Sequence, residues 1–232
     1  MSWSVIVPFR GDRAERDRNW AWCRSRLKWQ MGCLGEAELI EADSGDEVFN
    51  RARSRNVGAS QAKGDLLVFM DADGANDNWI DAGLEVHKNG GWVVCYRAPD
   101  GYVALTREST EWLLRTPRTW RPLDEPGYAA SDERSHSYAG CLVCSAEDFA
   151  LVGGYDERFN GWGYEDDAFR EAMETVVAPH KRTEGFHLHL WHPLVESERF
   201  NQPHIAENKA LAESYTAARG DRDAMLKIVG DR

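Results

Sequence analysis

The chain has 232 residues, of which 42% are hydrophobic and 29% are charged, and its formal net charge is −11. This composition is typical of a soluble globular protein with a sizeable core. The excess of acids disfavours a broad nucleic-acid-binding surface, which needs clustered Lys and Arg. The sequence shows no signal-peptide pattern and no run of the roughly 18 apolar residues that a membrane span needs. We therefore expect a soluble, cytoplasmic protein with no membrane partner.

Strands and helices alternate through the first third of the sequence. Apolar runs predict strands at residues 3–9, 36–43 and 65–73, and helical spacing predicts helices at 12–30 and 47–64. This alternation indicates right-handed βαβ units and a mainly parallel sheet, which is an α/β fold. The third strand is apolar throughout, as is typical of a strand that is buried on both faces.

The rest of the sequence alternates less regularly. Its predicted elements are strands at 90–98, 138–145 and 184–193, a helix over 165–177, and a polar C-terminal helix over 204–230 that Gly220 can interrupt. Residues 106–137 mix proline, arginine, tryptophan and acids without clean periodicity. We interpret this region as a long surface excursion, of the kind that often forms lids or acceptor-binding segments.

Five cysteines are scattered through the chain, at positions 23, 33, 95, 141 and 144. Their odd number and irregular spacing do not indicate a disulfide framework. Cys141 and Cys144 form a lone CxxC, which could serve redox chemistry or supply half of a zinc site. Residues three apart on a strand face opposite ways, so we interpret this pair as two small apolar thiols in a buried strand.

An Asp-Ala-Asp sequence, from Asp71 to Asp73, ends the third predicted strand. In open α/β sheets, ligands bind beyond the carboxyl ends of the strands. Two carboxylates there can hold a hard divalent cation, although a simple Asp-Gly turn gives the same pattern. A calcium loop of the EF-hand type does not fit, because Asn76 stands where that loop needs glycine and Ala82 where it needs glutamate.

Three histidines lie within six residues near the last predicted strand. His187 and His189 project from one face of that strand, and His192 follows just beyond it. Imidazole suits Mn²⁺, Zn²⁺ and similar ions, so this cluster is a candidate set of metal ligands. For any one of these histidines, the alternative is a satisfied core or surface residue.

Five arginines lie early in an otherwise acidic chain, namely Arg10, Arg13, Arg51, Arg53 and Arg55. Guanidinium groups form bidentate hydrogen bonds to phosphate, so these residues are candidates for binding an anionic ligand. The alternative is a solvated helix face, and we favour that interpretation for Arg53.

The sequence FNGWGYEDDAF, residues 159–169, places a tryptophan between two glycines directly before three acids. The helix dipole and free N–H groups favour acids in a first helical turn, which explains why Glu165, Asp166 and Asp167 can be adjacent. This does not explain Trp162. A flat apolar ring between glycines can stack on the apolar face of a sugar, and a neighbouring carboxylate can act as general base toward a sugar hydroxyl.

In this order, these motifs resemble those of inverting nucleotide-sugar glycosyltransferases of the GT-A fold, most closely β-1,4-galactosyltransferases and related bacterial family-2 enzymes. The likeness covers residues 3–193. It rests on the histidine cluster and on PFR at 8–10, FNRA at 49–52, RNVG at 55–58, DAD at 71–73 and GGYDERFNGWGYEDD at 153–167. The Gly-Trp-Gly-x-Glu-Asp run is highly specific. The resemblance implies a Rossmann-like α/β domain with a mainly parallel central sheet flanked by helices.

The resemblance also implies roles for individual residues. The donor nucleotide-sugar would be bound by Pro8, Phe9, Arg10, Asp43, Phe49, Arg51, Arg55, Asp71 and Trp162. Asp73 and His192 would hold Mn²⁺ or Mg²⁺, with His189 as a further ligand where the galactosyltransferases have a methionine. Asp166 would be the catalytic base, and Glu165 would hold an acceptor hydroxyl.

The implied reaction is the transfer of a single sugar from a UDP-sugar to a hydroxyl group of a glycan, a protein or a small molecule. The negative net charge disfavours a nucleic-acid acceptor while leaving it open. We expect residues 1–200 to form the GT-A domain, with a nucleotide-sugar-binding half at 1–100 and an acceptor and catalytic half at 101–200. Residues 201–232 are expected to form a C-terminal helical extension.

Two other functions are open at this point. A nucleotidyltransferase that makes nucleotide-sugars shares the sheet and the acidic metal site. It would need a glycine-rich basic loop after the first strand, where PFRGDRAER has one glycine. A non-catalytic carbohydrate- or nucleotide-binding module would not need the complete set of acids and histidines. The sequence also lacks the Gln-x-x-Arg-Trp motif of processive polysaccharide synthases, which favours the transfer of one sugar.

Overall fold

The structure, a computed structural model, describes residues 1–11, 13–115, 130–132, 138, 140–193 and 202–231. Ten strands and eight helices form within these ranges. In chain order they are β1 (Trp3–Pro8), α1 (Ala14–Met31), β2 (Ala37–Ala42), α2 (Arg51–Gln61), β3 (Leu66–Met70), β4 (Gly74–Asn76), α3 (Trp79–Asn89), β5 (Trp92–Val94), β6 (Tyr102–Leu105), α4 (Arg107–Arg115), β7 (Ala130–Asp132), β8 (Cys141–Ser145), α5 (Ala146–Leu151), α6 (Glu165–Val176), β9 (Lys181–Arg182), β10 (His187–His189), α7 (Pro203–Ala217) and α8 (Arg222–Gly230).

The central sheet has six strands in the order β2-β1-β3-β8-β5-β9. β1 is parallel to both β2 and β3, and β9 is parallel to β5, whereas β8 runs antiparallel to its neighbours β3 and β5. The sheet is therefore mixed and mostly parallel, which confirms the predicted α/β fold. Because β1 and β3 are adjacent and parallel, the residues that follow them, Phe9 and Asp71, lie at the same edge of the sheet.

A second, smaller sheet has four strands in the order β4-β10-β6-β7. β4 begins directly after Asp73, and its Gly74 lies opposite His189 of the antiparallel strand β10. The strands of this sheet have three or four residues each, too few to show a period in the sequence. This pairing brings a histidine of β10 beside the acidic turn that precedes β4.

The central sheet is buried on both faces. One face of β1 and β3, which includes Trp3 and Val68, packs in a core with side chains of α1 and α3. The other face, which includes Ile6 and Phe69, packs in a core with side chains of α5, α6 and α7. All five residues of β3 are buried, as its continuous apolar sequence predicted.

Two helices differ from the sequence-based predictions, and a third, α3, lies where the sequence analysis predicted no element. α2 begins at Arg51 rather than at residue 47, because the side-chain oxygen of Asn50 accepts a hydrogen bond from the N–H of Arg53 (2.9 Å) and caps the helix. α4 lies in the region that we interpreted as a surface excursion. It buries Leu113 and leaves Trp112 exposed, so packing of one side against the core fixes this short helix. Residues 116–129 and 133–137 of that region lie outside the described ranges.

Four predicted strands are longer than the observed ones by three residues or more. β3 ends before Asp71, because the N–H of Gly74 donates to the Asp71 carbonyl (2.9 Å) and closes a turn. β5 is followed by a hydrogen-bonded turn at 97–101. β8 begins only after Gly140, whose φ of 94° departs from strand geometry. β10 ends where side chains of α1 and α4 bind the backbone of Trp191 in place of a neighbouring strand.

Cys141 and Cys144 lie on opposite faces of β8, as predicted. Cys141 belongs to the core that contains Trp3, and Cys144 to the core that contains Phe69. Both thiols are buried, and burial raises the pKa of each. The pair therefore consists of unreactive apolar side chains.

The C-terminal segment forms two helices, α7 and α8, and both contribute to the core that contains α6. Gly220, in the left-handed conformation (φ 77°), separates them where the sequence predicted an interruption. The hydroxyl of Tyr215 donates a hydrogen bond to Asp156 (2.8 Å), and Met225 is completely buried. Within the described ranges, every helix is too short or too polar to cross a membrane.

The contact between Gly83 of α3 and Trp3 predicts the effect of a substitution. A Cβ atom on Gly83 would lie 2.0 Å from Cζ3 of Trp3, a ring that packs edge-on against Trp79 at 5.7 Å between centroids. We expect Gly83→Ala to lower the free energy of unfolding by about 1–3 kcal/mol through overpacking, despite the higher helix propensity of alanine.

Chemical denaturation measures this loss. Gly35→Ala is the matched control, since a Cβ atom on Gly35 would have no neighbour within 4 Å. Equal stability of the two variants would contradict the prediction.

Candidate active site

Asp73, His189 and His192 form a group of three potential metal ligands. Nε2 of His189 lies 3.5 Å from Oδ1 of Asp73, and Nε2 of His192 lies 3.1 Å from Oδ2 of the same carboxylate. One ligand atom from each residue lies within 4.8 Å of the other two, and no other such group occurs among the described residues. One carboxylate with two imidazoles suits Mn²⁺ and similar cations.

The hydrogen bond of His192 decides which ring nitrogen faces Asp73. Nδ1 lies 3.1 Å from the carbonyl oxygen of Pro193, and because a carbonyl only accepts, Nδ1 carries the hydrogen. In the neutral ring, Nε2 then directs a lone pair at Oδ2 of Asp73, a buried atom that accepts no hydrogen bond from the described residues. Burial lowers the pKa of His192, but the Asp73 carboxylate outweighs burial and raises it. Two facing acceptors need a proton or a cation between them, so the site fits a divalent cation.

The peptide groups between the two histidine ligands are fixed by buried side chains of two helices. Asn19 of α1 donates from its amide to the carbonyl oxygen of Trp191 (3.0 Å), and the N–H of Trp191 donates to the hydroxyl of Thr110 of α4 (2.8 Å). Both polar side chains are completely buried. Sequence reasoning missed them, because the signal is a polar residue on the core-facing side of a helix, and that side is known only from the packing.

Arg16, in the first turn of α1, approaches the same carboxylate. Its Nη2 lies 3.3 Å from Oδ2 of Asp73. A surface pocket next to Arg16 is lined by Pro8, Phe9, Arg10, Arg13, Arg16 and Phe49. Four of the predicted donor-binding residues thus lie together, and two further arginines add positive charge suited to a phosphate group. The sequence analysis did not single out Arg16, whose closeness to Asp73 arises only from the packing of α1.

Arg10 is oriented by Asp43. It donates two hydrogen bonds to that carboxylate, of 2.8 Å from Nε and 2.5 Å from Nη2. These hydrogen bonds lower the pKa of Asp43. The guanidinium carbon also lies 5.4 Å from the ring centroid of Phe49. The three residues, which follow β1 and β2 or precede α2, therefore form one cluster at the edge of the sheet.

Arg51 and Arg55 of α2 join the turn after β3 to the start of α6. Nη2 of Arg51 donates to Oδ2 of Asp71 (2.9 Å), and Nε lies 3.6 Å from Oε1 of Glu165. Arg55 donates to Oδ1 of Asp71 (3.2 Å) and to Oδ1 of Asp166 (2.8 Å). The structure thus brings together five predicted site residues from three segments of the chain.

This network contains three carboxylates and two guanidinium groups, an excess of one negative charge. Burial raises the pKa of Asp166 to about 7, against the opposing effect of Arg55 and with a smaller contribution from Glu165. Burial also acts on Asp71, but Arg51 and Arg55 outweigh it and lower the pKa of that carboxyl to about 2. Asp166 can therefore take up and release a proton near neutral pH.

Glu165 begins α6 and is almost completely buried. Its Oε2 accepts a hydrogen bond from the N–H of Gly163 (3.0 Å), whereas Oε1 is buried and accepts none from the described residues. Tyr164, between them, is the only non-glycine residue of the described ranges with a positive φ, 71°. Trp162 is half-buried on the turn that precedes it. Two guanidinium groups lie near Oε1 of Glu165, those of Arg51 at 3.6 Å and Arg55 at 3.7 Å, and the acceptor-holding role of Glu165 stays a prediction.

His187 does not join the metal-ligand group. It is completely buried and stacks on Tyr102 with 5.3 Å between ring centroids. Cβ atoms on Gly74 and Gly140 would lie 2.5 Å and 2.6 Å from its ring. Burial lowers the pKa of His187 to about 4, so the ring is neutral at physiological pH. We assign it to the packing behind the Asp71–Asp73 turn.

The solvated helix face that we favoured for Arg53 is observed. Its guanidinium forms surface ion pairs with Asp46 (2.7 Å) and Glu157 (2.8 Å). Asp167 is exposed in the first turn of α6, which fits a favourable interaction with the helix dipole and no further role.

Comparisons of the sequence with known proteins point to glycosyltransferases. A family model described as the N-terminal domain of galactosyltransferase matches residues 127–189. A probable N-acetylgalactosaminyltransferase 9 of Caenorhabditis elegans is 29% identical in an alignment of 189 residues, and the match covers 70% of this chain and 32% of the relative. The chain thus spans about a third of the length of that relative.

Solved glycosyltransferase structures share the fold. The catalytic domain of Drosophila β1,4-galactosyltransferase 7 with xylobiose matches with a TM-score of 0.61 and 19% identity, over 91% of this chain and 79% of that one. A mutant of that enzyme with manganese, UDP-Gal and xylobiose gives a TM-score of 0.59 at 19% identity, over 88% and 78%. S. aureus TarS with UDP-GlcNAc gives 0.53 at 10% identity, over 100% and 71%. These matches confirm the GT-A fold and the resemblance that the motifs predicted.

The metal-ligand group predicts the effect of removing one imidazole. We expect His192→Ala to weaken Mn²⁺ binding at least about tenfold, because the remaining ligands are one carboxylate and one imidazole. Mn²⁺ titration by electron paramagnetic resonance measures the affinity without any activity assay. His87→Ala, at an exposed position on α3, is the control. An unchanged titration for His192→Ala would remove that residue from the site.

Proposed function

We propose that this chain is a metal-dependent glycosyltransferase, which transfers a single sugar from a UDP-sugar to an acceptor hydroxyl with inversion at the anomeric carbon. The observation that carries the proposal is the bridge formed by Arg55, which binds Asp71 after β3 and Asp166 at the start of α6. This bridge holds the carboxylate of Asp166, whose pKa is raised, at the same edge of the sheet as the candidate metal ligands. Sugar transfer needs both, a base for the acceptor and a cation for the leaving group.

The ligands of the similar structures support the choice of substrate class. The Drosophila enzyme is seen with manganese, UDP-Gal and xylobiose, and S. aureus TarS with UDP-GlcNAc. By analogy with these proteins, we propose that the donor of the present chain is a uridine diphosphate sugar. A sugar hydroxyl is one candidate acceptor. The residues at the edge of its sheet fit such a donor.

The nucleotide-sugar would lie along the edge where β1 and β3 end. Arg10 is held there by Asp43, and Arg13 and Arg16 line the adjoining pocket. These guanidinium groups suit the oxygens of a diphosphate. The ring of Phe49, in the same pocket, offers an apolar wall for the base.

Asp73, His189 and His192 would hold Mn²⁺ or Mg²⁺. A cation bound there supplies Lewis-acid stabilisation of the charge that develops on the departing diphosphate. Arg16 contacts Asp73 and also lines the pocket, so it connects the metal ligands to the diphosphate site. Positive charge is needed on this side, because the nearby carboxylates would otherwise repel a diphosphate.

Asp166 would accept the proton of the acceptor hydroxyl. As that O–H bond breaks, the hydroxyl oxygen bonds to the anomeric carbon, and the bond between this carbon and the diphosphate oxygen breaks to release UDP. Attack opposite the leaving group inverts the configuration. Glu165 would accept a hydrogen bond from the acceptor and so orient it, while the ring of Trp162 would stack on a sugar face.

Incubation with Mn²⁺, a panel of UDP-sugars and xylobiose as a test acceptor tests the proposal through the release of UDP. Release that requires both Mn²⁺ and one particular UDP-sugar would support it. A folded protein that releases no UDP from any donor would overturn it. Pyrophosphate formation from UTP and a sugar phosphate would identify a nucleotidyltransferase instead.

Replacing the proposed base separates chemistry from donor binding. We expect Asp166→Asn to lower kcat for transfer about 100-fold or more, because the amide cannot accept the hydroxyl proton. Donor affinity, measured by calorimetry with Mn²⁺ present, should be retained. Asp167→Asn, the adjacent exposed acid, is the matched control and should transfer at the wild-type rate. Turnover by Asp166→Asn near that of the control would exclude Asp166 as the base.

The raised pKa of Asp166 predicts a pH dependence. A base must be deprotonated, so kcat/KM should rise with pH below about 7, the pKa of Asp166, and level off above it. The measurement needs saturating Mn²⁺, because protonation of His192 would otherwise weaken metal binding in the same direction. A profile that is flat through neutral pH would contradict this assignment.

A further inference from the structure

The turn that carries Trp162 has an unusual backbone. Gly161 and Gly163 have φ values of 64° and 109°, and Tyr164 has 71°, so three of four consecutive residues have positive φ. Glycine adopts such values without strain, but for tyrosine the conformation is energetically unfavourable. A turn of this kind keeps one shape only when contacts from outside fix it.

Asn208, on the C-terminal helix α7, makes such contacts at both ends of the turn. Its side-chain oxygen accepts a hydrogen bond from the N–H of Asn160 (3.1 Å). Its Nδ2 donates to the carbonyl oxygens of Asn160 (2.9 Å) and Gly163 (3.1 Å). The side chain is buried, so water does not compete for these three hydrogen bonds.

The same helix also lies directly beneath the turn. A Cβ atom on Gly161 would lie 3.0 Å from Nε2 of His204, and one on Gly163 would lie 3.4 Å from Cδ1 of Ile205. Gly161 therefore serves a second purpose besides its φ value, since it lets the backbone approach α7 closely, whereas the distance at Gly163 is an ordinary van der Waals contact. The turn rests on the helix as well as being hydrogen-bonded to it.

The side of the turn that faces the site is bound to Glu165. The N–H of Gly163 donates to Oε2 of Glu165 (3.0 Å), while the carbonyl of Gly163 accepts from Asn208. One peptide segment thus links the helix below the turn to the carboxylate that we assign to the acceptor. A displacement of this segment would move Trp162 and Glu165 together.

We propose that Asn208 is a positioning residue, which holds Trp162 and Glu165 in the geometry that acceptor binding requires. By this assignment, α7 belongs to the active site rather than to an appended extension. The inference rests on the proposed function, whose acceptor side it extends. The expected effect is large, because a misplacement of about 1 Å in a site can lower a rate about 100-fold.

The chain offers a matched control for a merely structural effect. Asn208→Ala removes the hydrogen bonds to the turn, and Asn208→Ser is a milder change if the alanine variant does not fold. Tyr215→Phe removes a buried hydrogen bond of the same helix, that of the hydroxyl to Asp156 (2.8 Å), which lies outside the turn. If Asn208 only anchored α7, its variants and Tyr215→Phe would behave alike.

Hydrogen exchange of a peptide that covers residues 159–165 is the first measurement, and it needs no substrate. We expect exchange at least about tenfold faster in Asn208→Ala and Asn208→Ser than in the wild type, with Tyr215→Phe close to the wild type. Unchanged exchange in the Asn208 variants, or equal acceleration in the control, would overturn the proposal.

The second measurement compares two acceptors, with Mn²⁺ and the UDP-sugar that the wild type uses. We expect transfer to xylobiose to fall about 10- to 100-fold in the Asn208 variants, while slow UDP release to water stays within about twofold. An equal fall in both reactions, or undiminished transfer despite faster exchange, would overturn the positioning role. A wild-type protein that releases no UDP would instead overturn the proposed function, and the exchange data would still decide whether Asn208 fixes the turn.

Discussion

The buried guanidinium group of Arg55 is the interaction on which the rest of the site depends. It is 3% exposed, binds Asp71 and Asp166, and lies 4.7 Å from the ring centroid of Tyr155. A buried charge is stable only when it is paired and hydrogen-bonded. Movement of the turn after β3, or of the first turn of α6, would remove one of the two carboxylates to which that charge is hydrogen-bonded. The two segments that carry the proposed metal ligand and the proposed base are therefore fixed relative to each other by Arg55, together with Arg51, which contacts Asp71 and Glu165.

The same arrangement explains why neighbouring carboxylates differ in acidity. Asp71 contacts two guanidinium groups, those of Arg51 and Arg55, whereas Asp166 contacts only the second. Burial is common to both, so the number of cationic partners decides the direction of each pKa shift. One carboxylate remains ionised over the whole accessible pH range, and the other exchanges a proton near neutrality. The environments of the two carboxylates thus move their pKa values in opposite directions within one cluster.

Sequence reasoning succeeded where a motif or a long apolar strand carried the information, and it failed where packing did. The position of Asp71 and Asp73 at the end of a buried strand was predicted from that strand's apolar sequence. The ligand role of His192 came from the resemblance rather than from spacing, and it stays a prediction. Asn208 and Asn19 could not be found, because a polar residue in a helix looks solvated until the buried side of that helix is known. The second sheet was missed because strands of three or four residues show no period. The contact of Arg16 with Asp73 depends on how α1 packs, which no local pattern encodes.

The pairing of β10 with β4 also ties the metal site to the register of a strand. His189 lies opposite Gly74, next to Asp73. Side chains alternate along a strand, so a slip of one residue would present Leu188 or Leu190 to the carboxylate in place of an imidazole. Only correctly paired chains would then offer all three ligands. A bound cation would therefore stabilise the native strand register relative to a slipped one. The stabilisation grows with the affinity and the concentration of the cation.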